Sequence, residues 1–265
     1  HMLNVAYTCP VFFNNCSARC VYNIEHMLAA LGALGIDNLL IEIDAPEAPI
    51  MDGSSVLIYD AIGEDNIKEQ NAEREYFVVR EKIVFSDKES GVELIALPDD
   101  DFSLNVMISY NSEVLDNQFA KLDSLNNFRK DIAPCRTFVF LHELEFLLNN
   151  NLVKGGDLDN AIVIMDRDVT QHELDRIADL FHHEHIKLNG QKGILNNLKI
   201  HFSNEPARHK LLDLVGDLTL VGKPIKGKII ATRPGHSSNV QFAKMLNKEM
   251  SKQFSKTAAP IYDAD

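Results

Sequence analysis

Basic residues are scarce in this chain. Lys and Arg total 26 against 39 Asp and Glu, a formal net charge of −13 over 265 residues. Neutralising phosphates needs clustered cations, so general nucleic-acid binding is excluded as a function class. Long apolar runs are missing as well. None approaches the roughly 20 residues that a membrane-spanning helix needs, so no transmembrane segment is expected. No basic region leads into an apolar stretch at the start, so no signal peptide is expected and a cytoplasmic location follows. His1-Met2 reads as a cloning remnant. Cysteine is limited to Cys9, Cys16, Cys20 and Cys135. Three of these crowd the first twenty residues without zinc-ribbon spacing, and reduced thiols are the expectation. What the chain has in quantity is core-forming material. With 45% hydrophobic residues it is globular, and it is long enough for one large domain or two small ones.

The pattern along the chain predicts helices alternating with strands. Residues 21–35 read as a helix, with Asn23 as cap and Ile24, Met27, Leu28, Leu31 and Leu34 as its apolar stripe. Asp37 to Asp44 reads as a strand, and a turn-rich loop runs to Gly53. Ser54 or Ser55 can cap a short helix through Ile62. The polar stretch Asn66 to Glu75 is the predicted domain boundary. Strands are expected at 76–85, 92–97, 102–110, 161–165 and 225–232. Helices are expected near 123–132, 142–150, 170–182, 205–222 and 236–255. Lys256 to Asp265 loses helical periodicity and reads as a tail.

The segment Arg208 to Asp217 carries the most chemistry. On a helix, His209, Asp213 and Asp217 recur at every fourth position and share one face. Imidazole nitrogen and carboxylate oxygen are ligands for a metal such as zinc, and Lys210 beside them offers a cation to an anionic transition state. The same spacing also occurs on helices whose polar face is merely solvated. Glu25-His26 places a carboxylate beside an imidazole on the first helix. His236 follows Arg233-Pro234-Gly235 between a strand and a helix, a place that can hold an imidazole over a cleft. Asp52 sits in a tight turn, where an Asx turn is the simpler role. Thr137 is by default a strand threonine. His182, His183 and His185 cluster beside Glu184, more in the manner of a solvated loop than of a second metal site.

Taken in order, Glu25-His26, Met51-Asp52-Gly53-Ser54, Arg136-Thr137-Phe138, His209-Lys210 with Asp213 and Asp217, and Gly235-His236 resemble one family. It is the zinc-dependent UDP-3-O-acyl-N-acetylglucosamine deacetylases of lipid A synthesis. The stretches Ala133 to Phe138, Lys154 to Val163, Asn204 to Lys210 and Gly222 to Gly227 resemble most the deacetylase half of Bacteroidetes-type bifunctional proteins. There a 3-hydroxyacyl-acyl-carrier-protein dehydratase follows, and the tail from Ala258 resembles the start of the linker to it.

The resemblance implies an α+β fold of two two-layer α/β sandwich domains packed face to face, with the active site between them. The first would span residues 1–70 and the second 71–256, with 257–265 as tail or linker. It implies zinc held by His26, His209 and Asp213, three protein ligands and one open position, as in catalytic zinc sites. Glu25 would be general base on the attacking water, with Thr137 polarising the oxyanion. His236 would be general acid, kept protonated by Asp52. Lys210 would lie near the substrate, and Asp217 would support the metal site. Phe138, Phe140 and residues of Leu141 to Leu152 would wall an acyl channel, and Tyr110 would sit near the nucleotide. The family's opening Gly-Leu-His-Thr-Gly-like segment has no counterpart here. A first domain truncated at its N-terminus is therefore expected, with exposed sheet edge and core surface. Two other functions compete with the deacetylase: a catalytically weak nucleotide-sugar-binding or scaffolding remnant, and a zinc hydrolase of another amide.

Overall fold

The computed structural model describes residues 12–13, 20–144, 157–190, 192–195 and 197–257. Strands β1 (Phe12–Phe13) and β2 (Cys20–Val21) form a short antiparallel pair. Helices α1 (Glu25–Ala33) and α2 (Val56–Ile62) follow. Helix α1 is shorter than its periodicity predicts. Ile24 is its cap residue, and Asn23 instead adopts a left-handed conformation at φ 55°. Glu25 in the first turn suits the positive end of the helix dipole. The predicted strand at 37–44 does not form: these residues lie in no ladder among the described residues, and Leu39, Leu40 and Ile41 are exposed. Apolar content alone does not make a strand without a neighbour to accept its hydrogen bonds.

The next segment builds the main sheet from β3 (Phe77–Val78), β4 (Ile83–Asp87), β5 (Val92–Leu97), β6 (Phe102–Ile108) and β7 (Gln118–Leu122). The single strand expected over 76–85 is two strands with different partners, so the chain bends at the exposed Arg80–Lys82. Strand β7 was not foreseen. A short 3-10 turn then runs into α3 (Phe128–Asp131) where one longer helix was expected.

Strands β8 (Thr137–Phe140), β9 (Ala161–Met165) and β10 (Gly193–Ile194) form a second, three-stranded sheet in the order β10-β9-β8. Helix α4 (Gln171–Leu180) belongs to this unit and is capped by Thr170, whose side chain accepts from the Glu173 amide. All five residues of β9 are buried, as expected of a central strand covered on both faces. Residues 141–144 are helical, and the rest of the helix expected to 150 lies outside the described residues.

Helix α5 (Glu205–Leu218), strand β11 (Ile225–Thr232) and helix α6 (His236–Thr257) complete the fold. Strand β11 lies inside the main sheet, ordered β4-β5-β11-β6-β7, with β3 parallel to its first residues. It runs parallel to β6 and antiparallel to β5. Its burial alternates strictly, with Ile225, Gly227, Ile229 and Ala231 facing in. Helices α5 and α6 cover that inner face, and α1 packs along the far side of α5. The architecture is a mixed α/β fold in which α5 is buried nearly all round.

Candidate metal centre

The surroundings of α5 decide between its two sequence readings. His209 is 1%, Asp213 2% and Asp217 0% exposed, so this is not a solvated helix face. Buried polar groups need partners, and the cost of leaving a charge unpaired is large.

The partner of His209 and Asp213 arrives on α1. His26 Nε2 lies 3.7 Å and His209 Nε2 3.4 Å from the same Asp213 Oδ1. The two imidazole rings meet edge to face with centroids 4.9 Å apart. One donor atom from each of His26, His209 and Asp213 falls within 4.8 Å of the others. Asp213 Oδ1 is buried and has no hydrogen-bond partner. Ligands held at about 2.0–2.1 Å around a tetrahedral ion are separated by roughly 3.3 Å, so these spacings and the orphaned oxygen fit a small divalent metal.

The ligand chemistry is prepared by the neighbours. His209 Nδ1 donates to the Cys135 carbonyl at 3.0 Å, which leaves the Nε2 lone pair facing Asp213. Burial depresses the His209 pKa to about 3, so the ring is neutral and its approach to Asp213 is not a salt bridge. Burial opposes the charge on Asp213, but the cations beside it, Lys210 and then His236, outweigh it and hold the carboxyl well below the usual range. Lys210 Nζ donates to Asp213 Oδ2 at 2.8 Å. Burial likewise opposes the charge on Lys210, and Asp213 and Tyr110 hold its pKa above the ordinary lysine value.

His236 approaches from the start of α6, its Nε2 3.9 Å from Asp213 Oδ2. Its Nδ1 donates to Asp217 Oδ2 at 2.9 Å, and Asn239 Nδ2 donates to the same oxygen at 2.9 Å. Although burial disfavours the imidazolium, Asp217 lifts its pKa to about 9. This corrects the role expected of Asp52. That carboxylate closes an Asx turn, its Oδ1 accepting from the Ser54 amide at 3.1 Å and hydroxyl at 2.7 Å. The carboxylate on His236 is Asp217.

A cavity of about 500 Å³ opens over the triad. Glu25, His26, Thr137, His209, Lys210, Asp213 and His236 bound its polar side. Val139 and Val163 of the three-stranded sheet, with Leu144, Leu158 and Phe181 from the segments around it, bound the apolar side. Glu25 is buried and its Oε2 has no partner. Of the expected channel aromatics, Phe138 lines the cavity. Phe140 stands behind it, and Tyr110, expected near the nucleotide, packs there too, its ring centroid 5.7 Å from that of Phe138 and 5.4 Å from that of Phe140. Backbone strain gathers at the rim: among the described residues, the non-glycine residues at positive φ are Asn23, Met51, His182 and Arg233. Each lies within three residues of a side chain that lines the cavity, and strain of this kind concentrates at functional sites. Gly53, at φ 81°, packs so close that a β-carbon would lie 1.8 Å from the Asn160 carbonyl oxygen.

Several groups here had no sequence signal that singled them out. The Cys135 contribution is a backbone carbonyl. Asn239 could have been found, since it follows His236 by three residues on one helix face. Phe181 reaches the cavity only through the tertiary path of α4.

Comparison with known proteins agrees with this geometry. A family model for UDP-3-O-acyl N-acetylglycosamine deacetylase matches residues 13–190 and 181–248. The bifunctional enzyme LpxC/FabZ of Bacteroides thetaiotaomicron is 47% identical over 245 residues, 92% of this chain and 52% of that protein. Its counterpart in Porphyromonas gingivalis is 48% identical over 243 residues, again 92% and 52%. The UDP-3-O-acyl-N-acetylglucosamine deacetylase of Chlamydia pneumoniae is 34% identical over 228 residues, 85% of this chain and 71% of that protein. The chain thus spans about half the length of the bifunctional relatives. With its two histidines and one aspartate gathered under the cavity, the chain belongs to the UDP-3-O-acyl-N-acetylglucosamine deacetylase family.

Proposed function

We propose that this chain is a zinc-dependent amidohydrolase that removes the N-acetyl group from UDP-3-O-(3-hydroxyacyl)-N-acetylglucosamine. One observation carries the reading: a buried two-histidine, one-aspartate set shares a cavity with an apolar wall. That combination suits an amide on a sugar that also bears a fatty acyl chain. His26, His209 and Asp213 would hold the zinc. Bound zinc would supply Lewis acidity, polarising the amide carbonyl and lowering the pKa of water.

The protein groups then divide the proton transfers. Glu25, which lines the cavity and carries a buried unpartnered oxygen, takes a proton from the attacking water. Water adds to the acetamide carbon, and Lys210 and Thr137 border the space where oxyanion charge develops. His236, held as imidazolium by Asp217, gives a proton to the departing amine. The carbon–nitrogen bond breaks, and acetate and the free amine leave. Phe138, with Val139, Leu158, Val163 and Phe181, walls the acyl chain. Tyr110 and Phe140 support that wall rather than touch the chain.

A division into a first unit (1–70) carrying Glu25 and His26 and a second (71–256) carrying the rest is part of the proposal, as is a cytoplasmic location. No described helix is long and apolar enough to cross a membrane. A fused 3-hydroxyacyl-acyl-carrier-protein dehydratase is the partner implied by the bifunctional relatives. The test is acetate release from the acylated nucleotide sugar. Release that a chelator abolishes and zinc restores supports the proposal, and release indifferent to metal refutes it.

A further inference from the structure

Glu205 plays no part in the reaction above, yet it is fully buried in the first turn of α5, one helical turn ahead of His209. Its carboxylate is saturated. Oε1 accepts from the Arg136 amide at 3.1 Å and from Arg136 Nε at 3.0 Å. Oε2 accepts from the His201 amide at 2.6 Å and, at 3.4 Å, from Arg136 Nη2. Arg136 Nη2 also donates to the Lys199 carbonyl at 2.6 Å. A buried ion pair of this kind is weak evidence for stability, because apolar residues of similar volume do as well or better. Its position offers another reason for it.

The N–H of Arg136 and the C=O of Cys135 are opposite edges of one planar peptide. Glu205 holds the N–H edge. His209 Nδ1 donates to the C=O edge at 3.0 Å. Two residues four apart on one helix therefore grip the same peptide from its two sides. A carboxylate on the N–H polarises the amide and makes its oxygen a better acceptor. We propose that Glu205 and Arg136 are positioning residues for the metal: they fix peptide 135–136 so that its carbonyl holds His209 with Nε2 turned toward His26 and Asp213. The arrangement is a carboxylate–histidine–metal relay with a peptide group inserted. The same peptide leads directly into Thr137, whose amide donates to the Gly53 carbonyl at 2.8 Å, so the clamp also anchors one wall of the cavity.

This rests on the reading of His26, His209 and Asp213 as metal ligands, and the experiment separates the two. Zinc affinity is measured by competition with a chromophoric chelator on the unmutated chain, on Glu205→Gln, and on Leu246→Ala as a buried control in α6, a helix that contributes no residue to the clamp. The cobalt-substituted proteins supply an absorption spectrum of the ligand field. Glu205→Gln is expected to weaken zinc roughly ten- to a hundredfold and to shift the cobalt bands. Leu246→Ala is expected to lower the melting temperature and leave both unchanged. Should Glu205→Gln not fold, because Arg136 is left buried and unpaired, the double variant Arg136→Met/Glu205→Gln is read in the same way. A folded variant with unaltered affinity and spectrum overturns the proposal, and so does failure of both variants to fold. Absence of zinc binding by the unmutated chain would instead remove the metal reading itself.

Discussion

Gly216 of α5 rests against the backbone of Glu25 so closely that a β-carbon on it would lie 2.1 Å from the Glu25 carbonyl oxygen. This contact sets the spacing of α1 and α5, and so the distance between His26 on one and His209 and Asp213 on the other. Gly216→Ala gains up to about 1 kcal/mol of helix propensity but forces the helices apart. A net destabilisation of about 1–3 kcal/mol is expected, the usual cost of overpacking. Zinc affinity should fall with it. Denaturant unfolding and a zinc titration check the two parts, and a variant with wild-type values in both would show that the helices have room to spare.

Glu25 and His209 are expected to fail in different ways. If Glu25 is the proposed general base, Glu25→Ala should keep metal binding and lose roughly 10²–10⁴ in turnover. His209→Ala should lose the metal itself. Metal content measured beside acetate release separates them. Activity retained in Glu25→Ala would place water activation on another group.

Asp217 is bonded to His236 at 2.9 Å, and in the proposed mechanism it acts through that imidazole. Asp217→Asn preserves shape but removes the charge that favours the imidazolium. Turnover should drop roughly ten- to a hundredfold while zinc content and melting temperature change little. A variant with normal turnover would leave His236 without a role as proton donor.

His183 offers a pH-dependent contact two residues beyond Phe181, which lines the cavity. Its Nδ1 donates to the Glu184 carbonyl at 2.7 Å and its Nε2 to Asp159 Oδ1 at 2.9 Å. Neither acceptor can donate in return, so the two bonds favour the ring with both nitrogens protonated. The Glu184 carbonyl and then Asp159 raise its pKa above the ordinary histidine value. A raised folded-state pKa means stability that is fully present below about 6.5 and lost as pH rises through the raised value. The contribution is small, since Asp159 is well exposed. An NMR titration should find the raised pKa in the unmutated chain and a lower one in Asp159→Asn. Equal values in both would dissolve the pair.

Strands with clean alternation were legible in the sequence. Strand β11 and strand β5 fall where the apolar pattern puts them, because each buries one face against helices. Asp37–Asp44 has strand composition and forms none, because a ladder depends on a neighbour and not on the strand's own residues. The expected 76–85 strand broke for the same reason, one part pairing with β11 and the other with β5.

The sequence by itself determined the chemistry on offer: which imidazoles and carboxylates exist, that His209 and Asp213 share a helix face, and that Glu25-His26 lies on another helix. Those are properties of covalent order and helical period, and they survive any rearrangement of the chain. Only the tertiary structure decided that His236 answers to Asp217 rather than Asp52. It also decided that the Cys135 carbonyl orients His209 and that Phe181 faces the cavity. These are contacts between segments far apart along the chain or groups of the backbone. They follow from how closely α1, α5 and the two sheets pack, which no local pattern encodes.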